Sequence, residues 1–243
     1  MQLSLVAVGL DASPASRGAF AWAAGAAAST NANLRAINVW MSPVVNTYRG
    51  TAPSTEDLLR RSRATISSTV AAIEPSGHVD SVIVHGSPGP CLTAEASGAD
   101  LLVVGRSNRS FDAPTTFGEV LVGSTARYCV NHAAIPVAVI PYYANWVANP
   151  QVVVGIDGSA GSFEALRWAA AVLPASATIH AVHAMVHPGR VDETPIDYEL
   201  LDPILAANET QLARLVATET HGMNRAIRSH VIIGTALDIL IDP

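Results

Sequence analysis

Short apolar runs rich in β-branched residues alternate along this chain with longer segments of helical spacing. LSLVAVGL, NLRAINVW, SVIVHG, ADLLVVG and IPVAVIP read as strands. Between them SPASRGAFAWAAGAAAS, STEDLLRRSRATISSTVAAIE, SPGPCLTAEASG and GSTARYCVNHA read as helices. Ser13 before Pro14 marks one helix start, a side-chain cap followed by proline at the first helical position. Ser54 with Asp57 marks another. Apolar strands alternating with helices need cover on both faces, so the pattern predicts a doubly wound α/β fold with a parallel sheet. In such sheets ligands sit beyond the carboxyl ends of the strands, where strand order reverses. The residues after the first and fourth strands, Gly9-Leu10-Asp11 and Gly105 onward, are therefore the ones to weigh.

The pattern then starts again. VAVGLDASPASRGAFAWAA (6–24) and VVVGIDGSAGSFEALRWAA (152–170) are identical at ten of 19 positions, among them Gly9/Gly155, Asp11/Asp157, Ser13/Ser159 and Trp22/Trp168. LRAINVW (34–40) matches IHAVHAM (179–185) more weakly, and SVIVHGS (81–87) matches HVIIGT (230–235). An offset of 146 residues implies a duplicated domain and not a solenoid. Pro141 and Pro150 bracket the expected linker, which predicts domains at 1–143 and 150–243. After Gly234 only TALDILIDP follows, so the second copy is expected to lack strand four onward and its phosphate loop. Its first strand is then expected to be a sheet edge that something else must cover.

Composition narrows the function classes. Hydrophobic residues make up 49% of the 243 and charged residues 14%, which describes a core-rich globular chain. The net charge is −6, with 14 Lys+Arg against 20 Asp+Glu, and the arginines are scattered; no nucleic-acid face is expected. No run approaches the ~18 apolar residues of a membrane span. Cys91 and Cys129 form no C-x-x-C, and the N-terminus has no basic n-region, so a reduced, cytoplasmic setting is expected.

Asp11 can accept from a ribose hydroxyl or an adenine amine, or it can cap the first helix. Ser13 already suits the capping role, which leaves Asp11 freer for a ligand; both readings stand. Gly105 allows positive φ and close backbone approach. Gly123-Ser124 opens a helix whose free N–H groups suit an anion; the bland alternative is glycine punctuation and a Ser cap. His180 and His183 in HAVH sit three apart on a strand and point to opposite faces, so structural roles are expected and no metal site. HPGRVDETPIDYELLD (187–202) reads as a solvated loop, and Trp22 and Trp168 as packing against the sheet. No G-x-S-x-G, H-E-x-x-H or G-x4-G-K-[ST] occurs, so no catalytic residue is assigned.

VGLDASPAS, VIVHGSP, LLVVGR…GST and IPVAVI together resemble the universal stress protein family, and the whole chain resembles its tandem members. The resemblance implies a five-stranded parallel sheet of order 3-2-1-4-5, with a truncated second copy. It implies ATP, with Mg as an accompanying ion, held near an Asp after strand one, a Val late in strand two and a G-x2-G-x9-G-[ST] loop. Matched residue by residue, these fall on Gly9 and Asp11, on Val39, on Gly105 with Arg106, and on Gly123, Ser124 and Thr125. The second motif glycine falls on Asn108, and 17 residues separate Gly105 from Gly123, five more than the pattern holds. Arg109 adds a cation to that loop and Asp112 a repulsive charge. A nucleotide-dependent stress sensor or regulator is expected, homodimeric through Ile135–Ile140. The alternatives are a nucleotide-free interaction module of the same fold and a slow ATP hydrolase or nucleotidyl transferase.

Overall fold

The computed structural model describes residues 3–42, 53–106, 123–147, 149–185, 198–223 and 225–241. The chain divides into two compact units, Leu3–Val147 and Ala148–Pro243. In the first, β1 (Leu5–Gly9), α1 (Pro14–Thr30), β2 (Asn33–Trp40), α2 (Thr55–Ile73), β3 (Val79–His85), α3 (Pro88–Glu95), β4 (Leu101–Gly105), α4 (Ser124–His132) and β5 (Val137–Ile140) follow in turn. The five strands are parallel, in the order β3-β2-β1-β4-β5.

Alternation along the strands builds two cores. Ala7, Ile37, Leu102 and Val104 face Leu92 and Ala96 in and after α3, and Ala126 and Cys129 of α4. The alternate positions Val6, Val8, Leu34, Ala36 and Val103 are fully buried too, on the side where α1 and α2 lie against the strands. Each such side chain removed from water is worth about 1.5–3 kcal/mol. α1 starts as its sequence predicts: the Ser13 hydroxyl accepts from Ser16 N–H, with Pro14 next. α2 carries the reciprocal Ser54–Asp57 capping box. Trp22 also meets Trp146, in the segment after β5, edge-on at 5.2 Å. Gly25 makes room for this, since a Cβ there would lie 2.5 Å from Trp146 Cβ.

The second unit runs β6 (Gln151–Gly155), α5 (Ala160–Val172), β7 (Thr178–Met185), α6 (Tyr198–Glu219), β8 (Ile227–Ile233) and α7 (Ala236–Ile241). Its three strands are parallel in the order β6-β7-β8, which leaves β6 at an edge among the described residues. Val154, Ile179, Ala181 and Val231 pack with Leu166 of α5 and with Leu212 and Val216 of α6. Trp168 packs against this cluster, as its sequence position suggests. The expected loop at 187–202 is corrected in part. Tyr198 to Asp202 belong to α6; residues 187–197 lie outside the described residues.

Candidate functional site

The order of the first sheet reverses between β1 and β4, which pair directly, Val8 opposite Val103. The pairing ends at Val8–Val103, and Gly105 beyond it lies against the Ala15–Ser16 backbone at the start of α1. The two chain segments singled out by sequence therefore emerge side by side at the carboxyl edge of the sheet, where doubly wound folds take ligands.

Asp11 stands two residues beyond β1 and is exposed. Its Oδ1 accepts from Ser13 N–H at 3.0 Å, and its own N–H donates to Ser16 Oγ at 3.3 Å. The expectation that Ser13 frees Asp11 from local duty is thus corrected: the two divide the turn, Ser13 capping α1 and Asp11 holding Ser13. A carboxylate has two oxygens, so this bond does not exhaust it. Partial desolvation raises the Asp11 pKa, but the bonds from Ser13, from Ser16 and from its own amide outweigh it and hold the group below the usual carboxylate value. Asp11 is therefore an anion at neutral pH, an acceptor only. Between them Ala12 sits at φ 68°, in the left-handed region that L-residues rarely adopt. The Arg17 guanidinium donates to its carbonyl.

Gly105 closes β4 without positive φ, which corrects one expectation. The glycine is required for another reason. A Cβ would lie 2.6 Å from the Ala15 carbonyl carbon and 2.9 Å from Ser16 N, so the first turn of α1 rests on this residue. Gly9 likewise faces Leu92, at 3.1 Å from a built Cβ. Both motif glycines are explained by helix–strand packing. Arg106 is half-buried and tied by its backbone N–H to the Ile140 carbonyl. Val39 packs against the α3–α4 core. Asn108, Arg109 and Asp112 lie outside the described residues.

Gly123 is the N-cap of α4 and makes no side-chain cap bond; Ser124 and Thr125 are its first two helical residues. Ser124 is exposed and Thr125 half-buried. The helix starts at Ser124, so Ser124 is not its cap, and among the described residues Gly123 gives the first turn no side-chain cap bond. Sequence reading missed Asn38. It is 6% exposed and donates from Nδ2 to the Leu10 carbonyl at 2.6 Å. A polar residue directly after the apolar pair Ala36-Ile37 and before Val39 was the available signal.

The second unit repeats the Asp turn. Asp157 Oδ1 accepts from Ser159 N–H at 2.9 Å, and Gly158 takes the left-handed position. The Ser159 hydroxyl and amide, with Ser162, lower the Asp157 pKa to about 2. The histidines of the second unit make hydrogen bonds within it. His183 donates from Nδ1 to the Ile156 carbonyl, and His180 bonds His230 at 2.9 Å and Gln151 at 3.0 Å. Among the described residues no three His, Cys, Asp or Glu are placed to hold a metal ion, and no helix is long and apolar enough to cross a membrane.

Comparisons with known proteins agree on one group. A family model described as the universal stress protein family matches residues 5–141. Curated universal stress proteins of Mycobacterium tuberculosis and Mycobacterium bovis are each 31% identical over 176 residues, 63% of this chain and 54% of theirs. The chain thus spans about half the length of the curated relatives it matches. A universal stress protein of Archaeoglobus fulgidus shares the fold over 97% of this chain and 80% of its own, at TM-score 0.67 and 12% identity.

Proposed function

Because this chain belongs to the universal stress protein family, we propose that its Leu3–Val147 unit binds an adenine nucleotide, ATP accompanied by Mg, as a stress sensor or regulator. The carrying observation is the meeting of two features at the reversal of strand order. One is the Asp11 turn, ionised and held by Ser13 and Ser16. The other is the β4 end, braced against that turn at Gly105. Asp11 accepts from the ribose or the base, the Val39 backbone lines the base, and Arg106 with the first turn of α4 faces the phosphates. Mg neutralises those phosphates; no side chain is assigned to it. The reading assigns binding and not turnover to this site, with Asp11 as a ligand acceptor. Among the described residues β6 pairs with β7 alone, so no counterpart of β4 brings a phosphate loop to the Asp157 turn, and the reading gives the nucleotide to the first unit.

One observation favours a second reading, a nucleotide-free interaction module: packing against the Ala15–Ser16 backbone accounts for Gly105 without a ligand. Titration calorimetry of the purified full chain with ATP, with and without Mg, separates the two. Mass spectrometry of the denatured supernatant shows whether nucleotide is already carried. Saturable binding at micromolar to low-millimolar ATP supports the first reading. Absence of heat and of carried nucleotide supports the second, and turnover that survives purification and falls in Asp11→Ala makes the chain a slow hydrolase.

A further inference from the structure

The Asp turn is not held by its own residues alone. Asn38 is the sixth residue of β2, and His183 is the sixth of β7. Asn38 Nδ2 donates to the carbonyl of Leu10, the residue that follows β1, at 2.6 Å. His183 Nδ1 donates to the carbonyl of Ile156, the residue that follows β6, at 2.7 Å. Two different side chains thus make the same bond at the same place in the two units, each one residue before an Asp that holds a Ser. In both, the backbone N–H of that following residue completes the ladder, Leu10 to Ile37 and Ile156 to Val182, each at 2.8 Å.

We propose that Asn38 is a positioning residue for the nucleotide site: by latching the Leu10 carbonyl it sets the direction in which Asp11 is presented. This inference rests on the reading of the Asp11 turn as that site. The physical link is the planar peptide. The Leu10 carbonyl and the Asp11 N–H share one plane, so fixing the first fixes the second. That N–H donates to Ser16 Oγ, which ties the turn to the first turn of α1. Ala12 at φ 68° is strained and would relax if either end of the turn were loosened. The second unit places Gly158 at this point and has less strain to hold, yet keeps the latch. What the two latches share is a donor and not a residue type. A carbonyl only accepts, so the His183 Nδ1 bonded to Ile156 carries a proton, as the Asn38 amide nitrogen does.

The test uses the full chain with Asn38→Leu, which keeps bulk and removes the donor, and Asn38→His, which restores a donor in the form the second unit uses. ATP affinity is measured well below the melting temperature. Asn38→Leu is expected to weaken ATP binding about tenfold. Asn38→His is expected to return it to within about threefold of the parent. A folded Asn38→Leu protein that binds ATP as the parent does would overturn the latch. Amide hydrogen exchange over Leu10–Ser16 reads the same device without any ligand. If the parent itself binds no ATP, the nucleotide reading fails, while faster exchange in Asn38→Leu but not in Asn38→His still supports the latch and unchanged exchange still sinks it. Should Asn38→Leu not fold, parent-like exchange in Asn38→His supports the latch and accelerated exchange there rejects it.

Discussion

At the residue scale, Asp11 joins backbone geometry to ligand chemistry. Its carboxylate holds Ser13 N–H and is ionised well below neutral pH. Removing a charged acceptor from a ligand costs about 1.5–3 kcal/mol, so Asp11→Ala should weaken ATP binding by about tenfold or more, as read by calorimetry. Asp157 gives a pH prediction. Its folded pKa, about 2, lies below its ordinary value of 3.8. A depressed carboxylate contributes stability that is fully present above the unfolded value and is lost as pH falls through the folded one. Urea denaturation between about pH 4 and 2 should therefore show a falling limb that is shallower in Asp157→Asn, because the amide keeps an acceptor for Ser159 N–H but carries no charge. Identical slopes in the two proteins would refute this. Asp11 and Asp157 were legible as candidates from their place after an apolar run. Asn38 was not singled out, because its bond is to a residue 28 positions away that pairing of β1 and β2 alone brings near.

At the element scale, local rules account for most boundaries. The Ser13 cap with Pro14 and the Ser54–Asp57 box open α1 and α2 where the sequence places them. Ser54→Ala should cost about 1 kcal/mol in a thermal or chemical melt, since it leaves the Asp57 N–H without its cap. Gly105→Ala tests a tertiary reason for a glycine. The new methyl meets the Ala15 backbone at 2.6 Å, and backbone cannot swing aside as a side chain can. A loss of about 1–3 kcal/mol is expected, and a neutral effect would show that α1 is free to shift. Sequence suggested backbone freedom at Gly105; the structure shows crowding, a property of where α1 crosses β4. The start of α6 was misplaced for a related reason. The acidic, proline-bearing run around it looks like loop by composition, yet its last five residues are helical.

At the scale of the whole molecule, each unit has its own core. β5 ends the five-stranded sheet with only β4 beside it, which makes Ile135–Ile140 the surface proposed for pairing with a second copy. Light scattering at high protein concentration should return the mass of a dimer, and a monomeric mass would remove that proposal. Nucleotide should bind once per chain; two equivalent sites per chain would assign a site to the Asp157 turn as well.

The order of strands and helices, the caps, the repeated V-G-x-D-x-S turn and the candidate Asp were determined by the sequence alone. Each depends on residues within a few positions of one another, through side-chain period, capping and turn chemistry. Tertiary structure decided which distant residues serve that turn. β1 lies between β2 and β4, so Asn38 reaches the Leu10 carbonyl and Gly105 comes under the first turn of α1. A strand's neighbours are chosen by burial across the whole sheet, and no local spacing records that choice.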